Sequence, residues 1–352
     1  MLVGGQGTRL RPLTVTTPKP MLPTAGVPFV AHQLVKARDA GVDHVILSTS
    51  YRAEVFADYF GDGSALGLRL TYVTEDTPLG TGGGIRNVAE HLQPGAFLVF
   101  NGDILTGVDL GKLLATHRRS RADVTLHLTP VDDPRAFGLV PTDADGNVTA
   151  FLEKPSRDED IVTDMINAGC YVFDRSVVDR IAGGRPVSVE REVFPQLLAD
   201  GARVVGHVDA SYWLDLGTPS AFVQGSCDLV RGAVESHALP GPTGEALVLE
   251  TGYVAPDATV TGGTTVGAGA RVESGAHVDG AVLFDDAVVS AGAVVRASVV
   301  GRGAAVGRRT RVSGAVIGDG ATVGADCELV DGARVWPDAA IGDAALRFSS
   351  DK

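Results

Sequence analysis

Residues 254–278 read VAPDATVTGGTTVGAGARVESGAHV, with valine at 254, 260, 266, 272 and 278 and mostly small or polar residues between. The six-residue ruler continues in a second phase through Val282, Val288, Val294, Val300, Val306 and Val312. A third phase runs through Ile317, Val323, Leu329, Val335 and Ile341. Two phase slips in so long a run mark an internal repeat. A period of six fits neither an α-helix nor a simple alternating strand. It fits a triangular β-coil in which each short strand sends one apolar side chain to a narrow axis while small residues turn the corners. The reading places this coil at residues 251–344, with a linker at 231–250 marked by Pro240, Gly241 and Pro242, and a tail at 345–352.

Upstream, residues 1–230 follow a different pattern. Apolar runs of strand length occur at 44–48, 69–72, 97–100 and 124–128. Helical patterns lie between them: from Pro28 to near Gly41, then at 53–60, 82–91 and 110–119. Thr218-Pro219 reads as an N-cap and first-turn pair opening a further helix toward Val230. Strands alternating with helices predict an α/β domain with a mostly parallel sheet, whose ligands bind beyond the carboxyl ends of the strands. The opening Met-Leu-Val enters a glycine loop almost at once, so the first strand reads as clipped.

The chain of 352 residues carries a formal net charge of −13, which argues against a general nucleic-acid or anionic-membrane surface. An anionic ligand then needs a local trap of backbone N–H groups, a few Arg and Lys, and a metal. Cys170, Cys227 and Cys327 are odd in number and far apart, fitting neither a disulfide framework nor a zinc site and pointing to a reducing cytoplasm. No run of about 18 apolar residues is present to span a bilayer.

The chemistry concentrates in LVGGQGTRLRPLT at residues 2–14. Glycines leaving a strand let backbone N–H groups approach a phosphate without obstruction by Cβ. This is not a Walker A loop, because no Lys-Ser/Thr follows the glycines, and Pro12 interrupts the helix that a dinucleotide fingerprint would open. Together with Pro18-Lys19-Pro20, the loop resembles that of the sugar nucleotidyltransferase family. Further matches follow in family order: PLGTGGG at 78–84, NGD at 101–103, FLEKP at 151–155, NAGCYVF at 167–173 and WLDLGTP at 213–219. The tract PKPMLP at 18–23 is most similar to mannose-1-phosphate guanylyltransferases. The resemblance spans essentially the whole chain. It implies a Rossmann-like nucleotidyltransferase domain followed by a left-handed parallel β-helix.

The implied reaction is attack of a sugar 1-phosphate oxygen on the α-phosphorus of a nucleoside triphosphate, releasing pyrophosphate. The protein's task is then positioning and electrostatic stabilisation. Arg9 and Lys19 are the expected phosphate-gripping cations; Arg11 either reaches phosphate or caps the loop. Asp103 and Asp215 are the expected Mg²⁺ ligands, since this ion takes one or two carboxylates with phosphate oxygens and water. The nucleotide is expected on Gly4, Gly5, Gly7, Thr8, Arg9, Glu75, Gly80 and Thr81. Glu75 favours GTP over ATP, because guanine presents paired N1–H and N2–H₂ donors to a carboxylate and adenine does not; a solvated surface Glu75 fits the residues equally. The resemblance assigns Glu153 to sugar hydroxyls and Lys154 to the sugar phosphate, with Asn167 and the Gly138 backbone also meeting the sugar.

Three rivals remain at the sequence level: a glucose 1-phosphate enzyme using UTP, dTTP or ATP, a non-catalytic regulatory paralogue, and a hexapeptide-repeat acyltransferase. The last requires a catalytic histidine, and only His277 lies within the coils. Retention of Arg9, Lys19, Asp103 and Asp215 counts against the paralogue. The Val-rich coil faces lead to an expectation of homo-oligomerisation.

Overall fold

The structure is a computed structural model that describes residues 1–50, 52–154 and 157–346. It forms two compact units that are discontinuous in sequence. The first comprises Met1–Gly5 and Ala37–Trp213, the second Gln6–Lys36 and everything from Leu214 onward.

In the first unit the expected apolar runs are strands His44–Thr49, Arg69–Thr74, Ala96–Phe100 and Val124–Pro130. His44–Thr49 pairs parallel with Arg69–Thr74. Leu2 bridges in parallel to both Ser48 and Asn101, so the chain's first residues run between two strands before opening into Gly4-Gly5. Val204–Val208 lies parallel to Val124–Pro130. One long strand, Met165–Asp174, runs antiparallel to both Ala96–Phe100 and Val124–Pro130. The alternation of strand and helix patterns does not announce this strand. It is buried on both faces from Ala168 to Phe173, so its sequence AGCYVF shows no apolar–polar alternation. Helices Glu54–Phe60, Gly80–Asn87 and Leu110–Ser120 follow their strands. The core gathers Leu126, Leu128, Tyr171, Phe173 and Phe194, all fully buried. Phe194 meets Tyr171 edge-on at 5.3 Å and stacks with Phe151 at 4.7 Å.

In the second unit the helix Pro219–Arg231 begins as its sequence requires. Thr218 Oγ1 accepts from the Ala221 amide at 3.2 Å, and Gly232 ends the helix at φ 77°. Pro28 departs from expectation. It closes a short antiparallel ladder with Pro23, and the following helix is Phe29–Asp39.

The C-terminal repeat is a parallel β-solenoid whose three sheets hold six, six and five strands among the described residues. Its first strand, Ala246–Val248, lies inside the stretch expected as linker. Rungs are 18 residues apart from Val254 to Val272, 17 apart through Val289, Val306 and Val323, and 18 apart again to Ile341. The two phase slips of the ruler are therefore a misreading of shorter coils. The axis is filled by Leu283, Val289 and Val295, whereas Val282 packs in a separate cluster outside it and Val288 and Val294 are half-buried. Neighbouring residues in a strand face opposite sides. In pairs such as Val288-Val289 the ruler locks onto the outward member. The missing residue is lost at one corner, which holds a single left-handed residue (Gly280, Ala297 or Gly314) in the 17-residue coils. In the longer coils two such residues stand there, Gly262-Gly263 or Asp331-Gly332.

Candidate active site

In the first unit, the bridged segment at Leu2-Val3 delivers Gly4 and Gly5 to the surface. A Cβ on Gly4 would lie 2.9 Å from Ser50 Oγ, and the Gly5 amide donates to that hydroxyl at 3.2 Å. The NGD turn packs against the same segment. The Gly102 amide donates to the Leu2 carbonyl at 2.9 Å, and a Cβ at Gly102 would stand 2.6 Å from that oxygen. Only glycine lets the turn sit there, and half-buried Asp103 follows it directly.

Glu75 is braced at both oxygens. Oε1 accepts from Ser48 Oγ at 3.0 Å, and Oε2 accepts from the Leu79 amide at 2.9 Å. Gly84 makes room for it, since a Cβ there would lie 2.8 Å from Oε1. Gly80 sits at φ 69° against the Val187 carbonyl. The Thr81 hydroxyl donates to Glu190 Oε2 and accepts from the Val189 amide, each at 2.9 Å. The segment Val187–Glu190, which leads into a π-turn at Val189–Val193, thus holds the Gly80-Thr81 corner. Sequence reasoning missed this segment, because nothing local in it signals a ligand site.

The residues expected at the sugar lie on adjoining strands. Gly138-Leu139 pairs antiparallel with Leu152-Glu153, and Leu139 also faces Ile166. Lys154 follows at φ 50°, exposed, its amide donating to the Phe137 carbonyl at 3.1 Å. The Glu153 side chain and Pro155 lie outside the described residues. Asn167 stands at a β-bulge between Asn167 and Tyr171. Its Nδ2 donates to the Tyr171 hydroxyl at 2.9 Å, and its Oδ1 accepts from the Gly169 amide at 3.1 Å. Bulges re-aim side chains near sites, and here the NAGCYVF motif acquires a geometric reason. Burial drives the Tyr171 phenol well above its usual range, so it stays protonated beside Asn167. Trp213 Nε1 donates to the Ala168 carbonyl at 3.0 Å, and its ring meets Phe137 edge-on.

The second unit carries the rest of the glycine loop. Gly7, at φ 56°, opens the 3-10 turn Thr8–Leu10, and Thr14 Oγ1 donates to its carbonyl at 2.8 Å. A Cβ on Gly7 would come within 3.0 Å of both Lys19 Cβ and Thr14 Cγ2. Lys19, with only 12% of its side chain exposed, places Nζ 3.8 Å from Asp215 Oδ1. At Gly217 a Cβ would lie 2.7 Å from Arg9 Nη2 and 2.9 Å from Asp215 Oδ1. The structure therefore brings Arg9 and Asp215 together at one glycine, with Lys19 reaching the same carboxylate. Gly217 was legible only as a letter in the WLDLGTP motif. A pair of cations balanced by a single carboxylate suits a polyanion, which takes over the cations as it binds.

Residues 1–232 match the Nucleotidyl transferase family, and residues 243–347 match the GMPPB C-terminal domain. The chain is 59% identical over 352 residues to the mannose-1-phosphate guanylyltransferase of Mycobacterium tuberculosis (strain ATCC 25618 / H37Rv), covering 100% of this chain and 97% of that relative. It is 37% identical over 264 residues to the mannose-1-phosphate guanylyltransferase catalytic subunit beta of Drosophila pseudoobscura pseudoobscura, covering 74% of this chain and 69% of the relative. Among solved structures, HddC from Yersinia pseudotuberculosis complexed with GMP-PN superimposes with a TM-score of 0.55 at 28% identity, over 64% of this chain and 96% of that one.

Proposed function

The chain belongs to the nucleotidyl transferase family, and from that premise we propose that it transfers a guanylyl group from GTP to mannose 1-phosphate. An oxygen of the sugar phosphate attacks the α-phosphorus of GTP. The bond from that phosphorus to the α,β-bridging oxygen breaks, and pyrophosphate leaves with the electron pair. GDP-mannose is the other product. No residue need form a covalent intermediate, so the protein acts by positioning and by stabilising charge.

One observation carries this reading: Arg9 and Asp215 meet at Gly217, and Lys19 reaches the same Asp215 carboxylate. Arg9 forks across phosphate oxygens and Lys19 supplies a compact charge. Gly4, Gly5, Gly7 and Thr8 present backbone to the nucleotide. Glu75 accepts from guanine N1–H and N2–H₂ with the lone pairs that its local bonds leave, because an ionised carboxylate offers about four acceptor sites. Gly80 and Thr81 border the base. Gly138, Glu153, Lys154 and Asn167 take the mannose 1-phosphate.

Magnesium would be held by the carboxylates of Asp103 and Asp215. Among the described residues no three His, Cys, Asp or Glu side chains form a protein-only metal cage. That donor set suits Mg²⁺, which keeps phosphate oxygens and water in its shell. When bound, the ion supplies neutralisation of the phosphate oxygens on which charge develops.

The proposal includes a cytoplasmic enzyme acting as a homo-oligomer. Cys170, Cys227 and Cys327 are buried free thiols, which suits a reducing compartment. Among the described residues no helix is long and apolar enough to cross a membrane. Light scattering at micromolar concentration tests the oligomer, and a monomer would refute it.

The deciding experiment is pyrophosphate release with Mg²⁺ over four nucleoside triphosphates and three sugar 1-phosphates. GTP with mannose 1-phosphate is expected to give the highest kcat/KM. A tenfold advantage for any other pair would replace the assignment.

A further inference from the structure

The solenoid reaches into the glycine loop within the second unit. On one of its sheets the outward-facing column reads Thr265, Val282, Val299, Val316 and Arg334 in register. The three valines pack in one cluster with Leu10, Leu13 and Leu22. An arginine takes the rung that follows the three valines. Its Nη1 donates to the carbonyls of Arg9, at 2.9 Å, and Arg11, at 2.6 Å. These carbonyls flank Leu10, which is fully buried. A second tie lies nearby: Thr16 Oγ1 donates to Asp319 Oδ2 at 2.7 Å, while Asp319 Oδ1 accepts from the Arg302 amide at 2.9 Å. Three hydrogen bonds, two of them from a cation, therefore fasten residues 9–16 to the solenoid.

We propose that Arg334 is a positioning residue for the nucleotide's phosphates, acting through the Arg9 and Arg11 carbonyls, so that the solenoid is a working part of the catalytic loop. The inference rests on the nucleotidyl-transfer reading. Arg334 holds the carbonyl of Arg9 itself, within the Thr8–Leu10 turn, and that of Arg11 just after it, which fixes the backbone from which the Arg9 side chain springs. A polyphosphate needs that side chain in place on arrival, since displacement of about 1 Å at a positioning group can cost roughly 100-fold. The sugar-phosphate residues belong to the first unit and gain nothing from the tie. The expected signature is selective: weaker use of the nucleotide, with use of the sugar phosphate unchanged.

The test compares wild type with Arg334→Ala, Arg334→Lys and Arg302→Ala, using the full chain. Arg302 is an exposed solenoid residue whose side chain pairs with Asp285 at 3.6 Å, and its variant serves as the control. KM and kcat are measured for each substrate. Affinity for a GTP analogue with an imido bridge between the α- and β-phosphates is measured by titration calorimetry, and Tm by scanning calorimetry. Arg334→Ala is expected to raise the GTP KM and the analogue Kd about tenfold, in line with partial release of Arg9. The mannose 1-phosphate KM should stay within about twofold, and Tm within a few degrees. Arg334→Lys, which retains a donor, should recover part of the loss, and Arg302→Ala should behave as wild type. Unchanged GTP KM and analogue affinity in Arg334→Ala would overturn the inference. So would equal losses toward both substrates accompanied by a large fall in Tm, which would mark a merely structural role. If wild type prefers another nucleotide, the assigned substrate fails, and the same comparison made with that nucleotide still decides the role of Arg334.

Discussion

Gly217→Ala tests most directly the proposed phosphate-binding role of Arg9 and Asp215 in the second unit. Gly217 is not among the positive-φ glycines, so alanine fits its backbone. The new Cβ would lie 2.7 Å from Arg9 Nη2, 2.9 Å from Asp215 Oδ1 and 3.0 Å from Arg9 Cζ, where ordinary contact begins at 3.4 Å. The guanidinium must retreat by about 0.7 Å and the carboxylate by about 0.5 Å. Both are ends of side chains, so the fold yields cheaply and stability should fall by about 1 kcal/mol or less. Catalysis should not yield cheaply. A misplacement of about 1 Å costs on the order of 100-fold, so 0.7 Å predicts roughly a 20- to 100-fold loss in kcat/KM. That corresponds to about 2–3 kcal/mol of transition-state stabilisation. Steady-state pyrophosphate release with varied GTP, beside a thermal melt, measures both quantities. A kcat/KM within about threefold of wild type would refute the reasoning. A melt lowered by more than about 10 °C would also refute it, by showing that the glycine serves the fold instead.

Other outcomes follow from the same geometry. Asp103→Asn and Asp215→Asn should each cut turnover by at least about 100-fold, as expected when a charge-stabilising group is lost; near-normal rates in a magnesium titration of both would remove them as metal ligands. His32 is buried between Ser236 Oγ at 2.7 Å and the Thr24 carbonyl at 2.9 Å, and burial lowers its pKa from 6.5 to about 4. The folded state therefore resists a proton that the unfolded chain accepts. The stability so conferred is complete above pH 6.5 and is lost as pH falls toward 4. Between pH 7 and pH 5 the wild type should lose about 2 kcal/mol more than His32→Gln in denaturant titrations, and equal losses would contradict the assignment. In the solenoid, Val289→Ala should cost about 2 kcal/mol because it opens a cavity on the axis, whereas Val288→Ala should cost under about 1 kcal/mol. Equal or reversed costs would mean that the coil phase is misassigned.

Much of this protein is legible in its amino-acid sequence. Six-residue spacing announces a β-coil because each rung must bury one side chain, and that requirement is local. The Thr218-Pro219 start and Gly232 end of a helix are local for the same reason: capping groups act on backbone within a turn of themselves. The motifs at 2–14, 78–84, 101–103 and 213–219 mark the family because their glycines and charges retain their order along the chain. Which valine of each pair faces the axis was not legible. Two adjacent apolar residues satisfy the ruler equally, and only strand pairing across successive coils selects one. The antiparallel course of Met165–Asp174 was hidden as well, since a strand buried on both faces shows no alternation. The bonds from Arg334 to Arg9 and Arg11 span more than 300 residues, and the approach of Lys19 to Asp215 nearly 200. Sequence by itself determines which groups are available and which faces must be buried. The path of the folded chain decides which distant groups meet, because hydrogen bonds and ion pairs depend on separation in space and are blind to separation along the chain.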